Sequence, residues 1–315
     1  MRLATRSDGS RDGALIVVSS DGGRWLSAVD AAVDLQHALD DWHRVEPALL
    51  ALGARLDAGQ GEPLTTAQLM APLPRAWQWL DGSAFPTHGE LMQKAFGLPP
   101  IETERPLMYQ GMSHRFLSGT EDVPFPSESD GIDFEGEFGV VTGDVPMGCA
   151  ASDALAHVRL VVLINDWSLR TIAPIEMKTG FGWVQAKPAC SLAPFGVTPE
   201  ELGEAWHDGR VHLPLRVEIN GDWFGNPSGS AMAFGFHELI EHAARTRDLP
   251  AGTIVGSGTV SNREHSTVGS TCISEKRAVD MIAGRIPRPF LSFGDRVHMS
   301  AGSTFGALDQ KVVKA

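Results

Sequence analysis

Asp133-Phe-Glu-Gly-Glu-Phe-Gly-Val-Val141 is the segment of this chain best placed to do chemistry. As a strand it puts Glu135 and Glu137 on one face, their Cα atoms about 6.5–7 Å apart, with Phe134 and Phe138 on the other. Two carboxylates so placed repel each other unless they are solvated or share a cation, and a hard divalent ion would take both as oxygen ligands. On a solvated edge strand the same pattern would be two ordinary surface glutamates.

A second segment, Val158 to Arg170, is an apolar run that ends in Asn165-Asp166. A carboxylate at the mouth of a buried strand is well placed as a ligand, although a capping or turn Asp has the same appearance. Arg170 is four residues on and could pair with Asp166 or meet an anionic substrate. In the third segment, Gly182 to Ser191, strand periodicity would put Gln185, Lys187 and Ser191 on one face. A lysine among apolar neighbours is costly unless its charge is paired or used, so an acidic cluster or a substrate oxyanion is its expected partner. An edge-strand Lys guarding against aggregation is the plainer alternative.

These segments need a framework, and the rest of the chain is rich enough in apolar residues to build one. Of 315 residues, 43% are hydrophobic and 21% charged, which suits one large domain with a small appendage and no disulfide support. The formal net charge of −13 repels phosphate backbones, so nucleic acid is not an expected partner. Cys149, Cys190 and Cys272 are widely spaced and form no CxxC or metal-ligand pattern; buried thiols in a reducing, cytoplasmic compartment are expected. The runs Ala14–Val18 and Leu160–Ile164 are too short for a secretory or membrane-spanning segment. No Walker-type loop, GxSxG elbow, HExxH motif or full dinucleotide fingerprint is present; the cluster GSGTVS at 256–261 lacks the third glycine of the last.

The opening residues alternate turns and short apolar runs, predicting a small antiparallel sheet. From Val29 to Leu56 the apolar spacing is helical, and Pro47 predicts a kink or two helices. A domain boundary is placed near 75, giving a small N-terminal domain (1–75) and a catalytic domain (76–315). In the latter, strands are expected over 134–141, 158–164, 211–219 and 253–260, and a helix over 231–244. The plan is α+β, without regular βα alternation.

Taken in order, DFEGEFGVV, LINDWSLR, the Gln185-Ala-Lys-Pro-Ala-Cys-Ser191 stretch and GSGTVS resemble the fumarylacetoacetate hydrolase superfamily, over roughly Pro72 to Val312. The first 70 residues look like the small N-terminal domain that members often carry. The resemblance implies a β-rich catalytic domain, a mixed β-sandwich roll. It implies Glu135, Glu137 and Asp166 as metal ligands for Mg²⁺ or Ca²⁺, with Mn²⁺ a further option. Lys187 and Ser191 match the family's Lys and Thr near the cation, while Tyr109, Arg170, Gln185 and Thr259 fall to substrate binding. Tyr109-Gln-Gly-Met-Ser-His114 has the family's Tyr-to-His spacing, so His114 is expected as the water-activating base. Glu275, with Glu264 as the weaker candidate, would orient it, since the aligned position is Ile273. Leu107 stands where the type enzyme has a metal-binding Asp, and Ala173 where it has a substrate-contacting Gln.

The expected activity is metal-dependent hydrolysis of a carbon–carbon bond in a 1,3-diketo acid such as fumarylacetoacetate, by a homodimer that breaks down aromatic compounds, tyrosine among them. A 2-oxo-4-enoate hydratase, a β-keto acid decarboxylase and an enol–keto tautomerase are alternatives on the same site. A catalytically idle member that binds metal or a dicarboxylate is another.

Overall fold

The computed structural model describes residues 1–97, 99 and 104–315 of the chain. Its frame is a 12-stranded sheet whose middle is the strand Gly136–Thr142, paired antiparallel with Val158–Asn165 on one side and Ile254–Gly256 on the other. Every residue of Gly136–Thr142 is buried. Val158–Asn165, VRLVVLIN, is buried at all but Arg159. Such valine-rich runs are what a strand covered on both faces requires. Alternate residues serve two different cores. Phe138, Val140, Val161 and Leu163 face one, while Val141, Leu160, Val162 and Ile164 face the other.

The first core is closed by a 5-stranded sheet that includes Arg216–Ile219, Arg296–Ser300 and Ala307–Lys314 and delivers Val217, Met299, Leu308 and Val312. This makes the larger part of the chain a two-sheet sandwich. The second core is closed by the helices Leu35–Asp40 and Trp42–Asp57 through Leu35, Leu39, Trp42, Val45 and Leu49. The N-terminal strands Arg2–Arg6, Ala14–Val18 and Arg24–Ser27 do not form a sheet of their own. Arg2–Arg6 pairs with Gly196–Val197 and extends the main sheet.

Three sequence expectations change in detail. The helical break falls at Asp41, while Pro47 is accommodated inside the second helix. The strand expected over 211–219 is interrupted around Pro214, which has no N–H to give a ladder, and resumes at Arg216. Residues 182–190 form turns instead of a strand. The backbone N–H groups of Val184, Gln185 and Ala186 donate to the carboxylate of Glu176, at 3.1, 2.9 and 3.0 Å, so a side chain takes the place of a neighbouring strand. All three cysteines are free and buried. Among the described residues no helix is long and apolar enough to cross a membrane.

Candidate metal centre and active site

The central strands converge on a nest of buried carboxylates. Glu137 lies in Gly136–Thr142 opposite Ile164, and Asp166 follows directly on the neighbouring strand, its N–H donating to the Glu135 carbonyl at 2.9 Å. A third group comes from a segment that the sequence reading passed over. Asp81 sits in the strand Trp79–Gly82, which pairs parallel with Ile254–Gly256. Oxygen atoms of Asp81, Glu137 and Asp166 all lie within 4.8 Å of one another, and all three residues are buried.

Two glycines make that approach possible. A Cβ on Gly256 would stand 2.4 Å from Asp81 Oδ1. Gly258, at φ +76°, turns its N–H onto the same oxygen at 3.0 Å. The GSGTVS stretch therefore has a structural task, holding Asp81, which the chain reveals only once the strands are paired.

The site's cations are placed asymmetrically. Lys187 Nζ donates to Glu135 Oε2 and Asp166 Oδ2, both at 2.5 Å. Arg170 bridges Glu135 (Oε1, 2.5 Å) and Asp133 (2.8 Å). Asp133 also accepts from the N–H groups of Ile273 and Ser274 at the start of the helix Ile273–Ile282. Asp166 gains a hydrogen bond from the Tyr109 hydroxyl (2.6 Å) and one from the Cys190 thiol (3.0 Å). Glu137 has neither cation nor donor: both of its oxygens are buried with no hydrogen-bond partner among the described residues.

Acidities follow this layout. Burial, then Asp81 and Asp166, push the Glu137 carboxyl well above the ordinary carboxylate range. Burial, then Asp166, do the same to Asp81. For Glu135, burial opposes ionisation, but Lys187 and Arg170 outweigh it and hold the carboxyl below its usual range. Burial likewise opposes the charge on Lys187, yet Asp166 and Glu135 raise it above an ordinary amine. Burial, then Asp166, raise the Tyr109 phenol, so it stays protonated and donating. An unsatisfied buried carboxylate beside two others is strongly unfavourable. A divalent cation among Asp81, Glu137 and Asp166 removes the repulsion, and an all-oxygen donor set suits a hard ion.

The cluster opens into a cavity of about 710 Å³ that also brings Tyr109, Arg170, Lys187 and Thr259 to its wall, together with Leu107 and Ala173. Asp81, close to Glu137 and Asp166, provides a carboxylate that Leu107 does not. Two expected residues are elsewhere. Gln185 is exposed and does not line the cavity. His114 is exposed and does not line the cavity. The imidazole that faces Glu275 belongs to His88, Nδ1 to Oε2 at 3.1 Å, with Glu275 fully buried and His88 on the cavity wall. His88 lies on the helix Pro86–Phe96, packed against Ile273–Ile282, which carries Glu275. The Tyr-to-His spacing therefore does not bring His114 to the cavity wall, where His88 stands instead. Glu264 is exposed and joins neither group. Ser191 is buried, its hydroxyl accepting from the Trp167 indole at 2.9 Å.

Residues 78–313 match the family described as fumarylacetoacetate (FAA) hydrolase C-terminal, and residues 1–75 match fumarylacetoacetase N-terminal domain 2. The chain belongs to the fumarylacetoacetate hydrolase family. Among curated members, it is 28% identical over 163 residues to 2,4-didehydro-3-deoxy-L-rhamnonate hydrolase of Sphingomonas sp. (strain SKA58), covering 51% of this chain and 54% of that protein. It is 25% identical over 241 residues to oxaloacetate tautomerase YisK of Bacillus subtilis (strain 168), covering 75% of this chain and 70% of the relative. The fold is shared with maleylpyruvate hydrolase from Sphingobium sp. SYK-6 in complex with manganese(II) ion and pyruvate, at TM-score 0.69 and 17% identity over 100% of each chain. The chain thus spans about half the length of the first of these relatives, and members of the family include hydrolases and tautomerases.

Proposed function

We propose that this fumarylacetoacetate hydrolase family member is a divalent-metal-dependent hydrolase that cleaves a carbon–carbon bond of a 1,3-diketo acid, with a 2,4-dioxo acid as the favoured form. The observation that carries this reading is the His88–Glu275 pair, whose imidazole lines the same cavity as Asp81 and Glu135. Asp81, Glu137 and Asp166 would hold the ion, with Glu135 tied to them through Lys187. A cation there supplies Lewis acidity to the dicarbonyl oxygens and takes up the negative charge that cleavage leaves on the departing carbon.

The chain's own residues do the rest. Glu275 accepts from His88 Nδ1–H, which fixes the tautomer and leaves Nε2 as the basic nitrogen. Nε2 takes a proton from water, whose oxygen adds to the remote carbonyl carbon. The bond from that carbon to the methylene breaks, and the methylene carbon leaves with the electron pair and takes up a proton. Lys187 spends two of its three N–H bonds on Glu135 and Asp166, and the third can meet the oxyanion formed on water addition. Arg170, held by Asp133 and Glu135, faces the substrate carboxylate, with Thr259 beside it.

The test is loss of diketone absorbance from a 2,4-dioxo acid and from fumarylacetoacetate, with Mn²⁺ or Mg²⁺ and with EDTA. Chelator-sensitive cleavage is expected, and His88→Ala should lower kcat about 10²–10⁴-fold while metal affinity holds. Cleavage that persists without metal sinks the reading. A second reading, keto–enol tautomerisation of a 2-oxo acid, is favoured by the 75% of the chain that aligns with the oxaloacetate tautomerase. Enolisation of oxaloacetate with no cleavage of any diketo acid would select it.

A further inference from the structure

The cavity has two chemically different ends. Its floor is the charged cluster. Its outer wall is built from Met92 and Phe96 on the first of the packed helices, Met281 on the second, Met177 at the end of the short helix Ala173–Met177, and Leu107 and Trp183 on loops. Four of these apolar side chains remain substantially open: Phe96 at 55%, Leu107 at 44%, Met177 at 61% and Met281 at 39%. Apolar surface gathered round one mouth is unfavourable in water and favourable against an apolar ligand. Methionine, unbranched and polarizable, adapts to the shape of what it meets.

A distal carboxylate would need a cation on this wall, and Arg277 is the side chain to consider. Its guanidinium carbon sits 4.4 Å from the centre of the Phe290 ring and its Nη1 donates to the Arg288 carbonyl, so a distal carboxylate would have to draw it off that ring. Arg170 and Lys187 are bound into the floor. At about 710 Å³, the cavity is also in the range, about 300–1,000 Å³, of sites that enclose a drug-sized molecule, well beyond a three-carbon oxo acid.

We propose that this site selects a 2-oxo acid whose far end is an uncharged apolar group, an alkyl chain or an aryl ring, in place of a second carboxylate. The inference rests on the reading above for which end of the substrate faces the acidic cluster. The oxo acid enters head first, and its tail displaces water from the methionine and aromatic wall.

The experiment is calorimetric titration of the Mn²⁺-loaded protein with pyruvate, 2-oxooctanoate and 2-oxooctanedioate, which share a head and differ in the tail. Each methylene taken out of water strengthens binding about fourfold, so 2-oxooctanoate, with five more carbons, should bind up to about 1,000-fold more tightly than pyruvate. It should also exceed the dioate by about tenfold or more, because a terminal carboxylate on this wall is desolvated among apolar side chains and meets Arg277 only by drawing it off the Phe290 ring. Met281→Asp should cost 2-oxooctanoate about tenfold, and pyruvate titration of that variant reports whether the head end still assembles. Equal affinity for pyruvate and 2-oxooctanoate would overturn the inference alone. So would tighter binding of the dioate, which would assign Arg277 to a distal carboxylate. Failure of pyruvate itself to bind would remove the 2-oxo acid reading, and the inference with it.

Discussion

Glu135 and Glu137 are separated by one residue, and both are buried, yet they have opposite surroundings. Glu135 lies between Lys187 and Arg170 and is held ionised below the usual carboxylate range. Glu137 faces Asp81 and Asp166, has no donor on either oxygen, and is pushed well above that range. The same side chain is therefore an ion-pair partner at one position and an unsatisfied carboxylate at the next but one. Two cations do not neutralise the whole nest of carboxylates. They are placed to satisfy one end of it and leave the other short of positive charge, which is where an ion gains most.

The largest contrast comes from neutralising each glutamate in turn. Glu137→Gln should weaken metal binding by more than about 100-fold, beyond the loss seen when only a ligand's partner is removed. Titration calorimetry with Mn²⁺ would read it, and unchanged affinity would break the comparison. Glu135→Gln leaves Lys187 and Arg170 short of their shared anion, and removing one partner of a buried pair costs about 3–5 kcal/mol. Urea unfolding of the metal-free protein should show that loss for Glu135→Gln. Glu137→Gln, which removes repulsion, should be at least as stable as the parent.

A second prediction is pH dependence. Burial and the neighbouring carboxylates raise Asp81 and Glu137 above the ordinary carboxylate range, so the folded, metal-free protein keeps protons there to higher pH than the unfolded chain does. Their contribution to stability is thus full below that range and lost as pH rises through the elevated folded values. Metal binding displaces those protons, so affinity should climb with pH, by about tenfold per unit for each proton released. Thermal melts at pH 5 and pH 8 with and without Mn²⁺ test both signs; stabilisation by Mn²⁺ that is larger at pH 5 contradicts them. The smallest effect belongs to His114, which is exposed, and His114→Ala should change stability by less than about 0.5 kcal/mol and turnover by less than about twofold. A large loss of turnover would return the base to His114.

Legibility in the sequence tracked how local each feature is. The strands Gly136–Thr142 and Val158–Asn165 announce themselves because both faces are buried, and near-continuous apolar runs leave few other readings. Glu135, Glu137 and Asp166 were visible as acids placed against such runs. Asp81 and His88 were not, although Trp-Leu-Asp-Gly at 79–82 is an apolar strand that ends in a carboxylate. Each gains meaning only from a partner far along the chain: Gly258, 177 residues away, for Asp81, and Glu275, 187 residues away, for His88. Lys187 was expected at the acidic cluster, but by strand alternation; it arrives from a turn whose N–H groups are taken up by Glu176.

The amino-acid sequence alone determined the α+β plan, the apolar strands of the core and the acids set along them, since burial pattern and residue type act over a few neighbours. Only the tertiary structure decided which glutamate keeps its charge, which histidine meets Glu275 and that the outer wall is apolar. Those outcomes depend on distances between segments far apart in the chain, and Coulomb interaction and desolvation act through space, whatever the order of residues.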